Sequence, residues 1–329
     1  MVYLSPYLAR WRRARKPGSV AVRRAGRLTA QKYPSVMYWL YRFCAFALFY
    51  THEAIGYPLF SLLAWLAYAR GGRPRQIVSR NMRHVLGPGA DERCVQRVVR
   101  EAYCNLAWGY YELFHIPAFA KEDFRRRMSI EGLHYIDEAL AGGKGVLLVT
   151  LHFGNTEVLL QAPLLFPQWE FMVPVERTHD ERIFRLVRRL RESQGMRVAP
   201  VDELLRIVRH LKRNHVVGIA ADRDVTGSGV SVSFFGAQAR LPDGAVRLAM
   251  RTGAALLPGY GWRERNGRFQ IRIMPPIQMQ RSGNADDDVL VNMRTLVAAF
   301  EQIVGAHPGQ WMAFSPLWEV DAPSMAATN

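Results

Sequence analysis

Short apolar runs alternate with amphipathic stretches in the part of the chain that follows residue 145. The stretches 180–195 and 202–214 repeat apolar positions at helical spacing and predict helices. Runs rich in β-branched and other apolar residues predict strands at 145–151, 170–175, 196–201 and 215–222. Strands that are apolar on both faces belong to a parallel sheet covered by helices. The pattern therefore predicts an α/β fold with a mostly parallel central sheet flanked by helices.

Further helices and strands complete this prediction. Residues 76–115 alternate apolar and charged positions at helical spacing, and we expect them to form a helical scaffold. The stretch 243–253 predicts a helix with Asp243 as a candidate N-cap and Gly253 at its end. The remaining predicted elements are strands near 255–264 and 267–277 and a helix near 287–305.

The N-terminal region is first basic and then apolar. Ten Arg and Lys residues precede Glu53, the first acidic residue, in a chain whose formal net charge is +16. The apolar segment 43–69 follows, interrupted by His52, Glu53 and Pro58, and its longest uncharged stretch has 16 residues. That length falls short of the roughly 20 residues that span a bilayer.

This arrangement predicts attachment to a membrane. We expect residues 36–75 to form a helical membrane-associating segment that lies in the bilayer interface or dips partway into it. Residues 1–35 would form a basic arm attracted to an anionic membrane surface. The alternative is a buried core helix behind a solvated basic tail.

Composition adds little beyond this charge. With 49% apolar and 22% charged residues the chain has the balance of a folded protein and not of a disordered one. Its three cysteines form no C-x-x-C pair, so neither a disulfide framework nor a metal site is predicted. The sequence also has no G-x-S-x-G, Walker or G-x-G-x-x-G motif, which argues against serine hydrolases, P-loop NTPases and dinucleotide enzymes.

A candidate for chemistry lies at the end of the first predicted strand. His152 follows that strand directly, and Glu157 lies five residues later in the first turn of the next predicted helix. A carboxylate that accepts a hydrogen bond from one ring nitrogen leaves the other nitrogen as a base. We therefore predict that His152 is a general base oriented by Glu157. In the alternative interpretation the pair is accidental, and Glu157 only complements the helix dipole.

Several motifs together support the first interpretation. They are HFGNTE (152–157), LRESQGMRVAP (190–200), ADRDVTGSGVSVSFFG (221–236) with the following LPDGAVRLAMRTGAALLP, and HPGQW (307–311). With these motifs in this order, the chain resembles the lysophospholipid acyltransferase superfamily. Within it, the chain is similar to the bacterial lipid A late (lauroyl or myristoyl) acyltransferases and to the phosphatidylinositol mannoside acyltransferases. The resemblance covers about the last two thirds of the chain.

The resemblance implies a glycerol-3-phosphate acyltransferase-like α/β domain over 76–320, followed by a C-terminal tail over 321–329. It implies transfer of a fatty acyl chain from acyl-CoA or acyl carrier protein to a hydroxyl of a lipid A-type or phosphatidylinositol mannoside-type glycolipid or of a lysolipid. The expected location is the cytoplasmic face of the inner membrane. No metal, no cofactor beyond the thioester co-substrate and no nucleic acid partner are expected.

The resemblance also implies roles for individual residues. His152 and Glu157 match the family's catalytic His-x4-Asp/Glu motif, and the residues expected to bind substrate are Asn155, Arg191, Asp222 and Arg223. The chain departs from the family pattern at Thr156, where relatives usually carry tryptophan, and at Gly309, where they often carry glutamate.

Other residues have plainer expectations. We expect His210 and His215 to serve as cationic or capping residues at a helix C-terminus. We expect Trp311 and Trp318 to pack in the core. Two rival functions stay open at this point. One is a non-enzymatic basic protein that binds membranes or nucleic acid, and the other is a thioester hydrolase that uses His152 to activate water.

Overall fold

The computed structural model describes residues 36–319 except 155, 225, 226 and 228. The predicted basic arm (1–35) and C-terminal tail (321–329) therefore lie outside the described residues. The first elements are helices α1 (Val36–Phe49), α2 (Glu53–Arg70), α3 (Arg73–Leu86) and α4 (Glu92–His115). The apolar segment 43–69 is divided between α1 and α2. His52 caps α2 by accepting a hydrogen bond from the amide of Ala54 at 3.2 Å, whereas Pro58 lies inside α2 without ending it.

The segment that spans α1 and α2 is unusually apolar at its surface. Fourteen of the eighteen large apolar side chains that are exposed in the described chain lie between Val36 and Leu66. Part of this segment is nevertheless packed against the protein, because Tyr41 and Leu48 are buried in a cluster with Tyr111 and Phe114 of α4. One face of the pair therefore packs on the protein and the other is left apolar and open.

Seven strands form the central sheet, in the order β1-β9-β8-β2-β5-β3-β4. They are β1 (Met128–Glu131), β2 (Val146–Thr150), β3 (Phe171–Val175), β4 (Arg197–Pro200), β5 (Val216–Ala220), β8 (Ala255–Arg263) and β9 (Phe269–Ile273). All pairs are parallel except β8 with β9. A separate antiparallel hairpin joins β6 (Val230–Phe234) to β7 (Ala237–Leu241).

The other helices connect these strands. They are α5 (Lys121–Arg127), α6 (His134–Ala141), α7 (Thr156–Leu159), α8 (Ala162–Leu165), α9 (Glu181–Glu192), α10 (Leu204–Lys212), α11 (Gly244–Thr252) and α12 (Ala285–Ala306). Two short 3₁₀ turns cover Ile116–Ala118 and Pro308–Gln310.

The sheet is buried on both faces, as a parallel sheet requires. Val146 and Val216 belong to one apolar cluster together with Ile136 of α6. Their neighbours Leu147 and Val217 belong to the other cluster, which contains residues of α3, α4, α10, α11 and α12. Successive strand residues point to opposite faces, so this division shows helices on both sides. The predicted α/β fold with a mostly parallel central sheet is confirmed.

Some elements differ from the sequence prediction. The short strand β1 and the β6–β7 hairpin were not predicted. Gly253 ends α11 in the left-handed conformation (φ 77°), as expected, but the carboxylate of Asp243 accepts a hydrogen bond from Arg247 Nε at 2.6 Å instead of capping the helix through its side chain.

Within the described part of the chain, α12 is the one helix that is both long and apolar enough to cross a membrane. Several of its apolar side chains are buried in the larger core cluster, among them Met293, Leu296 and Phe300. This burial is typical of a core helix. Helix α1 is apolar as well but shorter.

Candidate active site

The register of the sheet brings His152 and Asp222 together. Strands β2 and β5 are neighbours and parallel, and Thr150 at the end of β2 pairs with Ala220 at the end of β5. His152 and Asp222 each lie two residues beyond these partners, so they meet at the carboxyl edge of the sheet. Functional groups of open α/β sheets gather at this edge.

Asp222 holds His152 through both carboxylate oxygens. Oδ1 lies 2.7 Å from Nδ1 of the imidazole, and Oδ2 accepts a hydrogen bond from the backbone amide of His152 at 3.0 Å. The indole Nε1 of Trp311 donates to the same Oδ2 at 3.0 Å. The carboxylate therefore has a fixed position relative to the ring.

These contacts also determine the charge of Asp222. Burial by itself raises the pKa of this carboxyl, because only 2% of the residue is exposed. Burial is outweighed by the charge of His152 together with three hydrogen bonds, which come from the His152 ring, the Trp311 indole and the His152 backbone amide. The pKa of Asp222 is therefore held below its ordinary value. Asp222 is thus an ionised carboxylate at neutral pH.

The loop that carries His152 is fastened by the HPGQW segment. The amide of Gly154 donates to the carbonyl of Gln310 at 2.7 Å, and the amide of Met312 donates to the carbonyl of His152 at 2.8 Å. Phe153 forms an antiparallel bridge with Trp311. Two motifs that are more than 150 residues apart in sequence thus form one unit.

Glycine is required at position 154 for a steric reason. Its φ is 54°, and a Cβ placed there would lie 2.1 Å from the carbonyl oxygen of Gly261 in β8. Any side chain would therefore push the His152 loop away from the sheet.

The structure contradicts the predicted pairing of Glu157 with His152. Glu157 lies in the first turn of α7, but its carboxylate is bound in bidentate fashion by Arg191 of α9, with Nε 3.0 Å from Oε2 and a second, shorter contact between Nη2 and Oε1. Both side chains are largely buried, with exposed fractions of 11% and 12%. The carboxylate of Glu157 is thus held by a guanidinium, and Asp222 is the residue that orients the imidazole.

The other predicted site residues are placed as follows. Arg223 lies next to Asp222 and donates to Glu176 Oε1 at 3.0 Å, just beyond the end of β3. Arg191 binds Glu157. Asn155 lies outside the described residues. The structure therefore brings Asp222 and Arg223 to the same edge of the sheet as His152 and pairs Glu157 with Arg191. Of the predicted site residues in the described chain, only Asp222 is hydrogen-bonded to the imidazole of His152.

A second buried ion pair joins α4 to β8. Glu112 of α4 is fully buried and is bound by Arg263 of β8, and it also accepts a hydrogen bond from the hydroxyl of Tyr57 at 3.0 Å. Burial, which outweighs the charge of Arg263 and the hydrogen bond of Tyr57, raises the pKa of Glu112 to about 7. The charge of Glu157 contributes in the same direction.

Gly309, a departure from the family pattern, has a steric explanation. A Cβ at this position would lie 2.1 Å from Oε2 of Glu101 on α4, and Asn105 of the same helix donates to the carbonyl of Gly309 at 3.0 Å. The space for a larger side chain is thus already occupied by Glu101.

Two functional contacts escaped the sequence prediction. Asp222 was expected to bind substrate and not to orient His152, and Trp311 was expected only to pack. Residues 152 and 222 each lie two positions after the paired residues Thr150 and Ala220. Knowledge of the strand order would therefore have predicted that they meet. No sequence signal indicated the hydrogen bond of Trp311.

The arrangement can act as an acid–base pair. With Nδ1 bonded to Asp222, the nitrogen of His152 that can receive a proton from a ligand is Nε2. The His152 side chain is 30% exposed, whereas that of Asp222 is 2% exposed. A buried anion behind a partly exposed imidazole is the order of groups that general-base catalysis requires.

Comparisons with known proteins identify the family of the chain. The model of the family described as bacterial lipid A biosynthesis acyltransferase matches residues 24–320. The chain is 32% identical to the phosphatidylinositol mannoside acyltransferase of Mycobacterium tuberculosis (strain H37Rv) over 263 residues, which cover 77% of this chain and 80% of the relative.

Two further relatives extend the comparison. A phosphatidylinositol mannoside acyltransferase of Mycolicibacterium smegmatis is 30% identical over 82% of this chain and 87% of its own length. The lipid A biosynthesis lauroyltransferase of Escherichia coli K12 is 27% identical over 62% of this chain and 67% of its own length.

Proposed function

Because the chain belongs to the bacterial lipid A biosynthesis acyltransferase family and is an acyltransferase, we propose that it transfers a fatty acyl chain from a thioester to a hydroxyl of a membrane glycolipid. The donor in this proposal is acyl-CoA or acyl carrier protein. The single observation that carries the proposal is the hydrogen-bonded pair of His152 and Asp222 at the carboxyl edge of the sheet.

The proposed first step is a proton transfer. An alcohol is a poor nucleophile at neutral pH, so a base must take its proton as the oxygen attacks the thioester carbonyl. Nε2 of His152 takes that proton, and the ionised Asp222 stabilises the imidazolium that results. The new C–O bond forms as the carbonyl π electrons move to the oxygen.

The second step releases the thiol. The tetrahedral intermediate collapses, the C–S bond breaks, and the thiolate leaves with its electron pair. The proton on Nε2 of His152 then neutralises the thiolate. Since the thiolate is a good leaving group, the reaction needs no covalent enzyme intermediate.

Negative charge on the intermediate requires donors. Arg191 is the proposed source, because its guanidinium is largely buried and held in one orientation by Glu157. A fixed cation in a site of low dielectric stabilises developing charge without reorganisation. Glu157 is then a positioning residue for Arg191.

The acceptor class is proposed from the relatives. Those named phosphatidylinositol mannoside acyltransferases match this chain at 30–32% identity over 77–82% of its length, against 27% over 62% for the lauroyltransferase. This difference favours a mannosylated phosphoinositide over a lipid A precursor as the acceptor.

Membrane attachment is proposed from the exposed face of α1 and α2. Aromatic and aliphatic side chains such as Phe43, Phe46 and Trp65 are 57–68% exposed there. The predicted basic arm precedes these helices in the sequence, and Arg70, Arg73 and Arg75 lie at or just after their end. An apolar face between basic flanks suits the interface of an anionic bilayer, and this supports the proposed attachment to the cytoplasmic face of the inner membrane.

The test uses the full chain in liposomes with labelled palmitoyl-CoA or palmitoyl carrier protein, and with either phosphatidylinositol mannoside or a lipid A precursor as acceptor. The expected product is acylated glycolipid, and His152→Ala should abolish it. Release of free fatty acid without acylated lipid from every donor and acceptor pair would identify a thioester hydrolase. Unchanged transfer by His152→Ala would refute the proposed base.

A further inference from the structure

A second candidate site lies at the opposite edge of the sheet from His152. It is a cavity of about 240 Å³ at the amino-terminal ends of β3 and β4. Its wall consists of six residues, four of which are arginines: Met172, Arg197, Arg206, Arg209, His210 and Arg213. Met172 and His210 are buried, with exposed fractions of 3% and 5%, and close the cavity at its base.

The fold directs these arginines to one place. Residues 206, 209, 210 and 213 are spaced by three, one and three positions, so they share one face at the carboxyl-terminal end of α10. Arg197 is two residues before Ala199 on β4, and Ala199 belongs to the same core cluster as Ile207 and Leu211 of α10. Arg197 and Ala199 point to the same face of β4, so Arg197 extends from β4 toward α10.

The charge of the cavity is incompletely neutralised. Arg197 binds Glu170 at 2.9 Å, and Arg206 binds Glu203 at 3.3 Å. Arg209 and Arg213 form no salt bridge with any acidic residue in the described part of the chain. Two guanidinium groups at one cavity thus lack a counter-charge from the described protein.

A metal ion fits this region poorly. Ligand atoms of Glu170, His210 and His215 lie within 4.8 Å of one another. However, Oε2 of Glu170 is the oxygen that Arg197 already binds at 2.9 Å, and it is also the one that lies 3.4 Å from His215 Nε2. A further cation would compete with a guanidinium for the same oxygen amid other positive charges.

We propose that this cavity binds the phosphate groups of a soluble polyanionic ligand, such as a diphosphate or a nucleotide, through Arg209 and Arg213. Guanidinium groups match the geometry of phosphate oxygens and form strong charge-assisted hydrogen bonds with them. A strand of five residues is about 16 Å long, so the bound phosphate groups lie about that far from the His152 edge. The proposal is argued from the arginines of this cavity alone and does not depend on the proposed acyl transfer.

The experiment measures binding of inorganic pyrophosphate to the full chain in detergent micelles by isothermal titration calorimetry. The variant Arg209→Ala/Arg213→Ala removes two charges without breaking a described ion pair, and its affinity should fall about tenfold or more. The variant Arg125→Ala/Arg265→Ala removes two exposed arginines elsewhere, with no described ion pair either, and should bind as the unmodified protein does.

Two more arms define the ligand and separate this site from the active site. His152→Ala should bind pyrophosphate normally, even if acyl transfer itself proves wrong. Phosphatidylcholine vesicles with and without phosphatidylinositol 4-phosphate test lipid headgroups as the source. Pyrophosphate binding that depends selectively on Arg209 and Arg213 supports the proposal, whereas dependence seen only with the phosphorylated vesicles would overturn the soluble ligand.

Other results overturn the site itself. Equal losses in both arginine pairs would show that pyrophosphate responds only to the net charge of the protein. Absence of binding in every arm, or binding that Arg209→Ala/Arg213→Ala leaves intact, would leave no phosphate site in this cavity. Circular dichroism of each variant identifies any that fails to fold, in which case Arg209→Gln/Arg213→Gln replaces the alanine pair.

Discussion

Asp222 binds His152 twice, through the ring nitrogen Nδ1 at 2.7 Å and through the backbone amide at 3.0 Å. One contact fixes the orientation of the imidazole and the other fixes the loop that carries it. A shift of either residue would therefore disturb both the base and its position. This relationship leads to the first three predictions.

Asp222→Asn should reduce kcat for acyl transfer about 10²–10⁴-fold, because an amide cannot stabilise the imidazolium as a carboxylate does. His152→Ala should lose at least as much. The double variant should be no worse than His152→Ala alone, since the two residues act as one unit. Initial rates with labelled acyl donor measure all three, and strictly multiplicative losses would contradict a dyad.

Glu157→Gln should lower stability, and it should also lower kcat because Arg191 loses the partner that positions it. The substitution leaves the largely buried Arg191 without its counter-charge, and breaking a buried pair costs about 3–5 kcal/mol. Part of that loss should return in Glu157→Gln/Arg191→Met, as measured by urea unfolding. The pH at which activity falls should not change, because Asp222 and not Glu157 holds the imidazole. A shifted pH profile in Glu157→Gln would instead restore the role predicted from the sequence.

Trp311→Phe removes one donor from the Asp222 carboxylate. The carboxylate becomes more basic and binds the imidazolium more strongly, so the acidic limb of the pH–rate profile should move to higher pH. The lost hydrogen bond should also cost about 1–3 kcal/mol of stability. Trp318→Phe is the matched control, because its equally buried indole donates to the carbonyl of Phe234 at 2.8 Å. The same pH shift in both variants would refute the assignment.

Phe46→Gln should weaken binding to anionic liposomes about tenfold or more, since burial of a phenylalanine side chain contributes about 1.5–3 kcal/mol. Its 68% exposure means that the fold should tolerate the change. Leu205→Gln, on α10 and 66% exposed, is the control and should bind as before. Flotation assays report both, and an equal effect of the two substitutions would show that α1 is not the attachment face.

The buried Glu112 should make stability depend on pH. Its pKa in the folded protein, raised by burial to about 7, exceeds the value of about 4.3 in an unfolded chain. The folded state thus binds the extra proton between these values, and its stabilising effect is present below pH 4 and lost as pH rises through 7.

The expected loss across this interval is about 4 kcal/mol, because one pKa unit corresponds to about 1.4 kcal/mol. Unfolding free energies from urea titrations between pH 4 and 8 measure it. Glu112→Gln should flatten this slope, whatever its stability at any one pH. An unchanged slope in the variant would show that another group is responsible.

The local pattern determined much of the architecture. Apolar runs and helical spacing predicted four parallel strands and the helices between them, because each of these signals depends on residues within one element. The same reasoning identified His152, which follows a strand directly, and the apolar segment that becomes α1 and α2. The motif set predicted the family, and the match over residues 24–320 confirmed it.

The partner of His152 was decided only by the tertiary structure. Glu157 is five residues from His152 in the sequence, yet Arg191 binds it, whereas Asp222 is seventy residues away and contacts the ring. The adjacency of β2 and β5 sets this choice, and strand order depends on packing across the whole sheet. Sequence spacing specifies neighbours within an element, but hydrogen bonds between elements depend on how those elements pack.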